Sequence, residues 1–385
     1  MRGWRGGLLA GALIVAMGGC ASGLEGPGTG PDGDGGVGAD GAPLGPDGGP
    51  PGSDGGTAEE DAGGPPGSDG GSSDGGSSDG DGGQELLGPP YPIVLAHGFF
   101  GFDELLGIID YWWQIPAALE MAGETQVFVT AVDPFNGSDV RGGELIAQIE
   151  DILATTGHRK VNLIGHSQGG LDARVVAHER PDLVASVLTV ATPHGGSPVA
   201  DLVETLSGPV LDELLGILAE MLGTLYGQPT EAEVLAALDL FSEDGIAAFN
   251  ATYTDSPGVA YYSVTGTSDL TSPSAGPCEV SSAPTAVSRW YGERDPIDSF
   301  LYLTEDLIDG NPVGTYPNVH PNDGLVRVED AQWGTFLGCV PADHLDEVGQ
   351  LLGDSPGWSA LYGTNDFDHR ELFVDLVDYL RAQGH

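Results

Sequence analysis

The chain predicts an α/β domain whose sheet is mostly parallel and doubly wound. Three observations carry this. From Tyr91 onward, short β-branched apolar runs alternate with longer runs of helical periodicity, the pattern of strands joined by crossover helices. One apolar run ends in Gly165-His166-Ser167-Gln168-Gly169 and passes directly into a helix-like segment, so a G-x-S-x-G turn lies between a strand and a helix. Polar residues such as His97, Ser167 and Thr192 fall at the ends of the strand-like runs, where chemistry in such sheets is found.

The elements follow in order. Residues 91–97 and 126–132 read as buried strands, and Gly143 to Leu153 as an amphipathic helix with Leu145, Ile146, Ile149, Ile152 and Leu153 on one face. Val161 to Gly165 is the strand before the turn. Leu171 to Glu179 is the helix after it, stopped by Arg180-Pro181. Residues 184–190 and 259–264 are further strands. Residues 198–241 interrupt the alternation. Ser197-Pro198 is a helix start, and Thr230 with Glu233 forms a capping box. Between them, Pro209 to Tyr226 carries a broad stripe including Leu211, Leu214, Leu215, Leu218 and Leu222. The stripe fits a core helix, or a lid over a neighbouring site.

The domain occupies residues 89–385, about 300 residues and enough for one large core. Before it, residues 1–20 read as an export signal: Arg2 and Arg5, an apolar stretch from Leu8 to Met17, then Met17-Gly18-Gly19-Cys20. The small residues before Cys20 match a lipoprotein signal, with Cys20 as the lipidated residue. Residues 21–88 are almost entirely Gly, Pro, Asp, Ser and Ala, without Lys or Arg. Such a segment buries too little apolar surface to offset its ordering entropy, and is expected to be a disordered tether reaching about 45 Å. Together they predict an exported protein, membrane-anchored at the outer membrane or cell surface, or otherwise secreted.

The net charge of −46, with Lys160 the only lysine, excludes nucleic acid and anionic membrane as partners held by charge. With Cys20 lipidated, Cys278 and Cys339 remain as a pair for a disulfide in an oxidising compartment.

In the G-x-S-x-G turn the glycines leave room for a tight elbow that lifts the Ser167 hydroxyl above the sheet. A plain small-residue turn with a capping serine is the alternative. A serine hydroxyl needs a base. Of the nine histidines, His166 adjoins the serine and points away, and His97 shapes the loop after the first strand. His158, His178 and His385 read as surface residues. For the acid, the fold points to Asp269 just after the 259–264 strand.

Several motifs resemble the Gram-negative secreted triacylglycerol lipases of bacterial lipase family I. They are Tyr91–Phe102, Tyr111-Trp-Trp-Gln-Ile-Pro116, Val140-Arg-Gly-Gly-Glu144, 161–170, Arg180-Pro-Asp-Leu183 and Ala191-Thr-Pro-His-Gly-Gly-Ser197, then Tyr261–Thr267, Asn322-Asp-Gly-Leu325 and His344-Leu-Asp-Glu-Val348. They agree in chain order from about 91 to 354. The resemblance implies an α/β-hydrolase fold with a helical lid insertion, and carboxylester hydrolysis at lipid surfaces. It also implies a structural calcium ion and, in many members, a membrane-held folding chaperone. It makes His344 the base and selects Asp323, in Asn322-Asp323-Gly324, over Asp269; the plain alternative at Asp323 is a turn. The order Ser167, Asp323, His344 is the one this fold uses. The backbone N–H groups of Gln168 and Phe99 would form the oxyanion hole. Asp295 and Asp346 match the calcium carboxylates, and Gln350 and Asp354 the positions that supply carbonyl oxygens. Such an enzyme is expected to act as a monomer on a lipid or ester substrate. Another carboxylesterase or acyltransferase on the same scaffold is the nearest alternative, and an inactive surface-binding lipoprotein a more distant one.

Overall fold

The structure is a computed structural model that describes residues 86–99, 111–205, 238–268, 286–290, 301–310, 319–350 and 367–385, with shorter pieces at 104–105, 109–110, 278, 295 and 297. All lie in the unit Ser78–His385. Cys20, the tether up to Glu85, Asp269, Pro209 to Tyr226, the Thr230–Glu233 capping box and Asp354 lie outside the described residues.

Six parallel strands form the main sheet: β1 (Ile93–Ala96), β4 (Val127–Thr130), β5 (Val161–His166), β6 (Val184–Val190), β7 (Ala260–Gly266) and β8 (Thr335–Val340). Their spatial order is β4-β1-β5-β6-β7-β8, with every neighbouring pair parallel. A separate antiparallel pair joins β2 (Glu104–Leu105) to β3 (Ile109–Asp110). Parallel strands need crossovers, and helices lie on them: α1 (Ile115–Ala122), α2 (Ser138–Thr156), α3 (Gln168–Glu179), α4 (Pro198–Thr205), α5 (Glu243–Thr252) and α6 (Tyr302–Ile308), with α7 (His369–Ala382) following the last strand.

The two-residue period of β1 divides it between two cores. Ile93 and Leu95 face one side with Trp112, Ile115, Leu119, Phe373 and Leu376, against α1 and α7. Val94 and Ala96 face the other with Leu145, Ile149, Ala173 and Val176, against α2 and α3. Burial on both faces is why the central strands read as continuous apolar runs rather than as alternations.

Helix α2 starts five residues before the periodicity suggested. Its first turns carry a fully buried arginine, Arg141, and Gly142, where a Cβ would lie 2.5 Å from Val175 Cγ1. Helix-to-helix approach, not an apolar stripe, holds that end. Pro198 opens α4 as its position predicts. His158, read as a surface residue, is buried, and its Nδ1–H donates to the Gly88 carbonyl at 3.0 Å. The incoming chain at Leu87 bridges to it and covers it.

Candidate active site

Ser167 sits between β5 and α3 with φ 54° and ψ −128°. That conformation costs a non-glycine residue of order 1–3 kcal/mol and persists only where the surroundings enforce it. Here they do. A Cβ on Gly165 would strike the Gly169 carbonyl, and one on Gly169 would strike the Ala96 carbonyl. The Ser167 N–H donates to the Val190 carbonyl at 2.9 Å, and Thr192 Oγ1 donates to the Ser167 carbonyl at 2.8 Å. Adjacent strand ends thus clamp the elbow, and Ser167 stays half-buried among buried neighbours.

The loop after β1 runs beside the elbow. Gly98 has no side-chain room: a Cβ there would lie 2.7 Å from Ser167 Cβ and from the Tyr111 hydroxyl. Arg141 reaches the loop from α2. Its Nε donates to Asp172 at 2.8 Å, and its Nη2 donates to the His97 and Gly98 carbonyls at 2.7 and 3.2 Å. Burial raises the Asp172 carboxyl to about 6 against the opposing pull of Arg141. His97 is lowered to about 3, by burial first and the Arg141 charge second. It is therefore neutral, accepting from the Val132 N–H at 3.1 Å through Nε2 and donating Nδ1–H to the Gly98 carbonyl at 2.9 Å. Phe99 follows Gly98, and Gln168 opens α3 directly after Ser167. The two expected oxyanion donors thus sit on the two segments that flank the serine. The Gln168 side chain turns away, donating to the Asn136 carbonyl at 3.0 Å.

His344 lies beyond the end of β8. Its Nδ1–H donates to Asp323 Oδ2 at 2.8 Å, and its backbone N–H donates to the Asp323 carbonyl at 2.9 Å. Asp323 is fully buried, and its Oδ1 accepts the Leu325 and Val326 N–H groups at 2.9 and 2.7 Å. Asn322 caps the same turn by accepting from Gly324 N–H at 2.8 Å, with Gly324 at φ 95°. The Asn-Asp-Gly segment is therefore a turn that also holds a carboxylate against an imidazole. The His344 ring lies 4.7 Å, centroid to centroid, from that of His166, the residue before Ser167. The His344–Asp323 pair thus lies beside the residue that precedes Ser167.

The sequence points His166 away from the site, but its ring packs against that of His344 and is engaged by Tyr111 and Glu347. Its Nδ1 meets the Tyr111 hydroxyl at 2.5 Å and its Nε2 lies 3.3 Å from Glu347 Oε2. Burial first, then the His344 charge, lowers it well below the usual imidazole value. Glu347 is raised well above the carboxylate range by burial and by the nearby Asp323 and Asp343. The sequence reading passed over both Tyr111 and Glu347, though each lies inside a quoted motif.

A third group gathers where Asp295 meets the turn that carries His344. Asp295, Asp343 and Asp346 are buried, with carboxylate oxygens within 4.8 Å of one another. Asp343 Oδ1 accepts the Leu345 and Asp346 N–H groups at 2.9 and 3.0 Å, shaping the turn. Three buried carboxylates at this separation repel unless a cation joins them, and an all-oxygen set suits a hard one. Asp295 and Asp346 were expected there from the sequence, and Asp343 was not. Gln350 lies at the end of the same turn, its N–H donating to the Leu345 carbonyl at 3.0 Å.

Comparison with known proteins agrees with this geometry. A family profile for the α/β hydrolase fold matches residues 91–225. A triacylglycerol lipase of Vibrio cholerae is 38% identical over 288 residues, covering 68% of this chain and 81% of its own. A triacylglycerol lipase of Burkholderia plantarii is 31% identical, covering 76% of this chain and 87% of its own. Among solved structures, a metagenomic carboxyl esterase superposes with a TM-score of 0.50 at 20% identity, over 77% of this chain and 76% of that one, and supports the fold. With a strained serine elbow, a His–Asp pair beside it and relatives of this identity and coverage, the chain belongs to the triacylglycerol lipase family on the α/β-hydrolase fold.

Proposed function

We propose that the protein hydrolyses the carboxylic esters of acylglycerols at a lipid–water interface through Ser167, His344 and Asp323. The observation that carries this reading is the 2.8 Å bond from His344 Nδ1–H to a buried Asp323, presented beside the strained Ser167 elbow. That bond fixes the tautomer that leaves Nε2 free to accept a proton. Ser167 Oγ attacks the ester carbonyl while His344 takes its proton and passes it to the leaving alcohol. Water then cleaves the acyl-enzyme by the reverse relay. The Asp323 side chain orients the ring and steadies the imidazolium. The N–H groups of Phe99 and Gln168 receive the negative charge that develops on the carbonyl oxygen.

Calcium is the cation that the Asp295, Asp343 and Asp346 set fits best, with Gln350 and Asp354 as carbonyl donors suggested by the family resemblance. Bound there, it would hold the turn that carries His344 and take no part in the reaction. The resemblance to the Gram-negative family also supports a dedicated folding chaperone. Residues 198–241 would form a lid, their apolar stripe covering the site in water and meeting lipid when open. Cys20 would anchor the enzyme through lipid and the Gly-rich segment would tether it; fractionation of Cys20→Ser against wild type tests this, and a soluble wild-type protein would rule the anchor out.

The test of the activity is Ser167→Ala, assayed on emulsified triglyceride and on esters of graded chain length, with fluorophosphonate labelling of the wild type. Turnover should fall by at least about 10⁴-fold in a protein that melts normally. Retained hydrolysis would remove the assignment. Activity confined to short soluble esters would redirect it to a carboxylesterase.

A further inference from the structure

We propose that Tyr111 is a positioning residue for ester hydrolysis, its phenol fixing the peptide that precedes the oxyanion donor. The inference rests on the reading of Ser167 and Phe99 given above. Tyr111 stands just before α1 and is buried. The Gly98 N–H donates to its hydroxyl at 3.0 Å, and the hydroxyl lies 2.5 Å from His166 Nδ1. The direction of the chain follows from chemistry. A backbone N–H can only donate, so the phenol oxygen accepts there, and in the tautomer with Nδ1 unprotonated the phenol gives its own hydrogen to His166. Burial raises the phenol well above its usual value, which keeps that hydrogen in place.

Gly98 needs such a partner because it is the loosest link in the loop. Glycine populates backbone conformations closed to other residues, and a side chain is excluded here by Ser167 and Tyr111 themselves. Each peptide is planar, so holding one edge aims the other. The Gly98–Phe99 peptide is held at its carbonyl by Arg141 and His97, which aims the Phe99 N–H. The His97–Gly98 peptide is held at its carbonyl by Arg141 and at its N–H by Tyr111. With both planes fixed, φ and ψ of Gly98 are fixed. Through His166, the same hydroxyl ties this loop to the residue beside the nucleophile.

The test is Tyr111→Phe, which removes one oxygen and keeps the ring among Trp112, Ile115 and Leu119. Losing an oxyanion donor outright costs about 10²–10³ in kcat; loosening its aim should cost about tenfold, with KM within a factor of about two because ground-state binding is untouched. Inactivation by an organophosphonate, whose oxygen mimics the developing charge, should slow by the same factor. Leu119→Val, in the same core, should lower Tm without that kcat change. Tyr111→Phe with wild-type kcat, a compensating rise in KM, an unfolded product, or an equal kcat loss in Leu119→Val would each overturn the positioning role. If the fluorophosphonate labels Ser167 in the wild type while Tyr111→Phe turns over normally, this inference alone falls. If Ser167 is not labelled, the reading of the site falls with it.

Discussion

The disulfide between Cys278 and Cys339 offers a perturbation whose size follows from the structure. The two half-cystines lie 61 residues apart in sequence, with Cα atoms 5.2 Å apart. Both are buried, against Val328 and Phe336. The loop they close contains Asp295 and Asp323, so the bond restrains the segment that supplies the acid and part of the cation set. In the chain-entropy account, a loop of this length removes about 14 cal/mol/K from the unfolded state, or about 4 kcal/mol at 25 °C. A domain of about 300 residues unfolds with an entropy near 0.6 kcal/mol/K, so reduction should lower Tm by about 7 °C. The assay is differential scanning calorimetry of the oxidised protein and of protein reduced during refolding, with free thiols titrated to confirm the state. Reduction isolates the tether, whereas Cys278→Ala with Cys339→Ala adds the loss of packing and should destabilise further. A reduced protein that melts within about 1 °C of the oxidised one would refute the argument. The stabilisation would then have to reside in packing of the two sulfurs.

Asp323→Asn should reduce turnover by roughly 10²- to 10⁴-fold, because an amide that satisfies Leu325 and Val326 through its oxygen turns its NH₂ toward His344 and favours the wrong tautomer. Asp269→Asn should do far less, and kcat of the two variants on a soluble ester decides between them. Exhaustive chelation should lower Tm and activity together, since a ligand bound only to the folded state stabilises it by linkage. Asp343→Ala should reproduce the loss and make Tm insensitive to added calcium; a chelator without effect on the wild type would remove the site.

Much of the sheet was legible in the sequence. Residues 184–190 form β6 as read, the runs at 91–97 and 126–132 contain β1 and β4 to within two residues at each end, and 161–165 is β5 short of His166. Strands β1, β5 and β6 are buried on both faces, so their apolar runs are dense and bounded by turns; β4, at the sheet edge, is only partly buried but keeps its β-branched run. Strand β8 was not read, because Thr335-Phe-Leu-Gly-Cys-Val340 carries a glycine and a half-cystine and lies at the sheet edge. Helix α7 could have been found: Leu372, Phe373, Leu376, Val377 and Leu380 are spaced for one face, after an Asp368 cap. At the site, the motif spacing singled out Ser167, and the resemblance supplied His344 and Asp323. Asp343 was overlooked because it adjoins His344, and nothing local distinguishes it from other acids in so acidic a chain.

The sequence by itself determined the alternating order of elements and the elbow at Ser167, because each depends on local periodicity and on glycines that a tight turn requires. It suggested the pairing of Cys278 with Cys339 only on the condition that Cys20 is set aside, and the disulfide itself is seen in the structure. Only the tertiary structure decided which carboxylate faces His344, which acids converge beside it, and that Tyr111, His166 and Arg141 brace the loop before Phe99. Those contacts join residues as much as 55 positions apart in the chain. Their partners are set by strand order and register, which bring distant segments to one end of the sheet, and no local pattern encodes a distance across it.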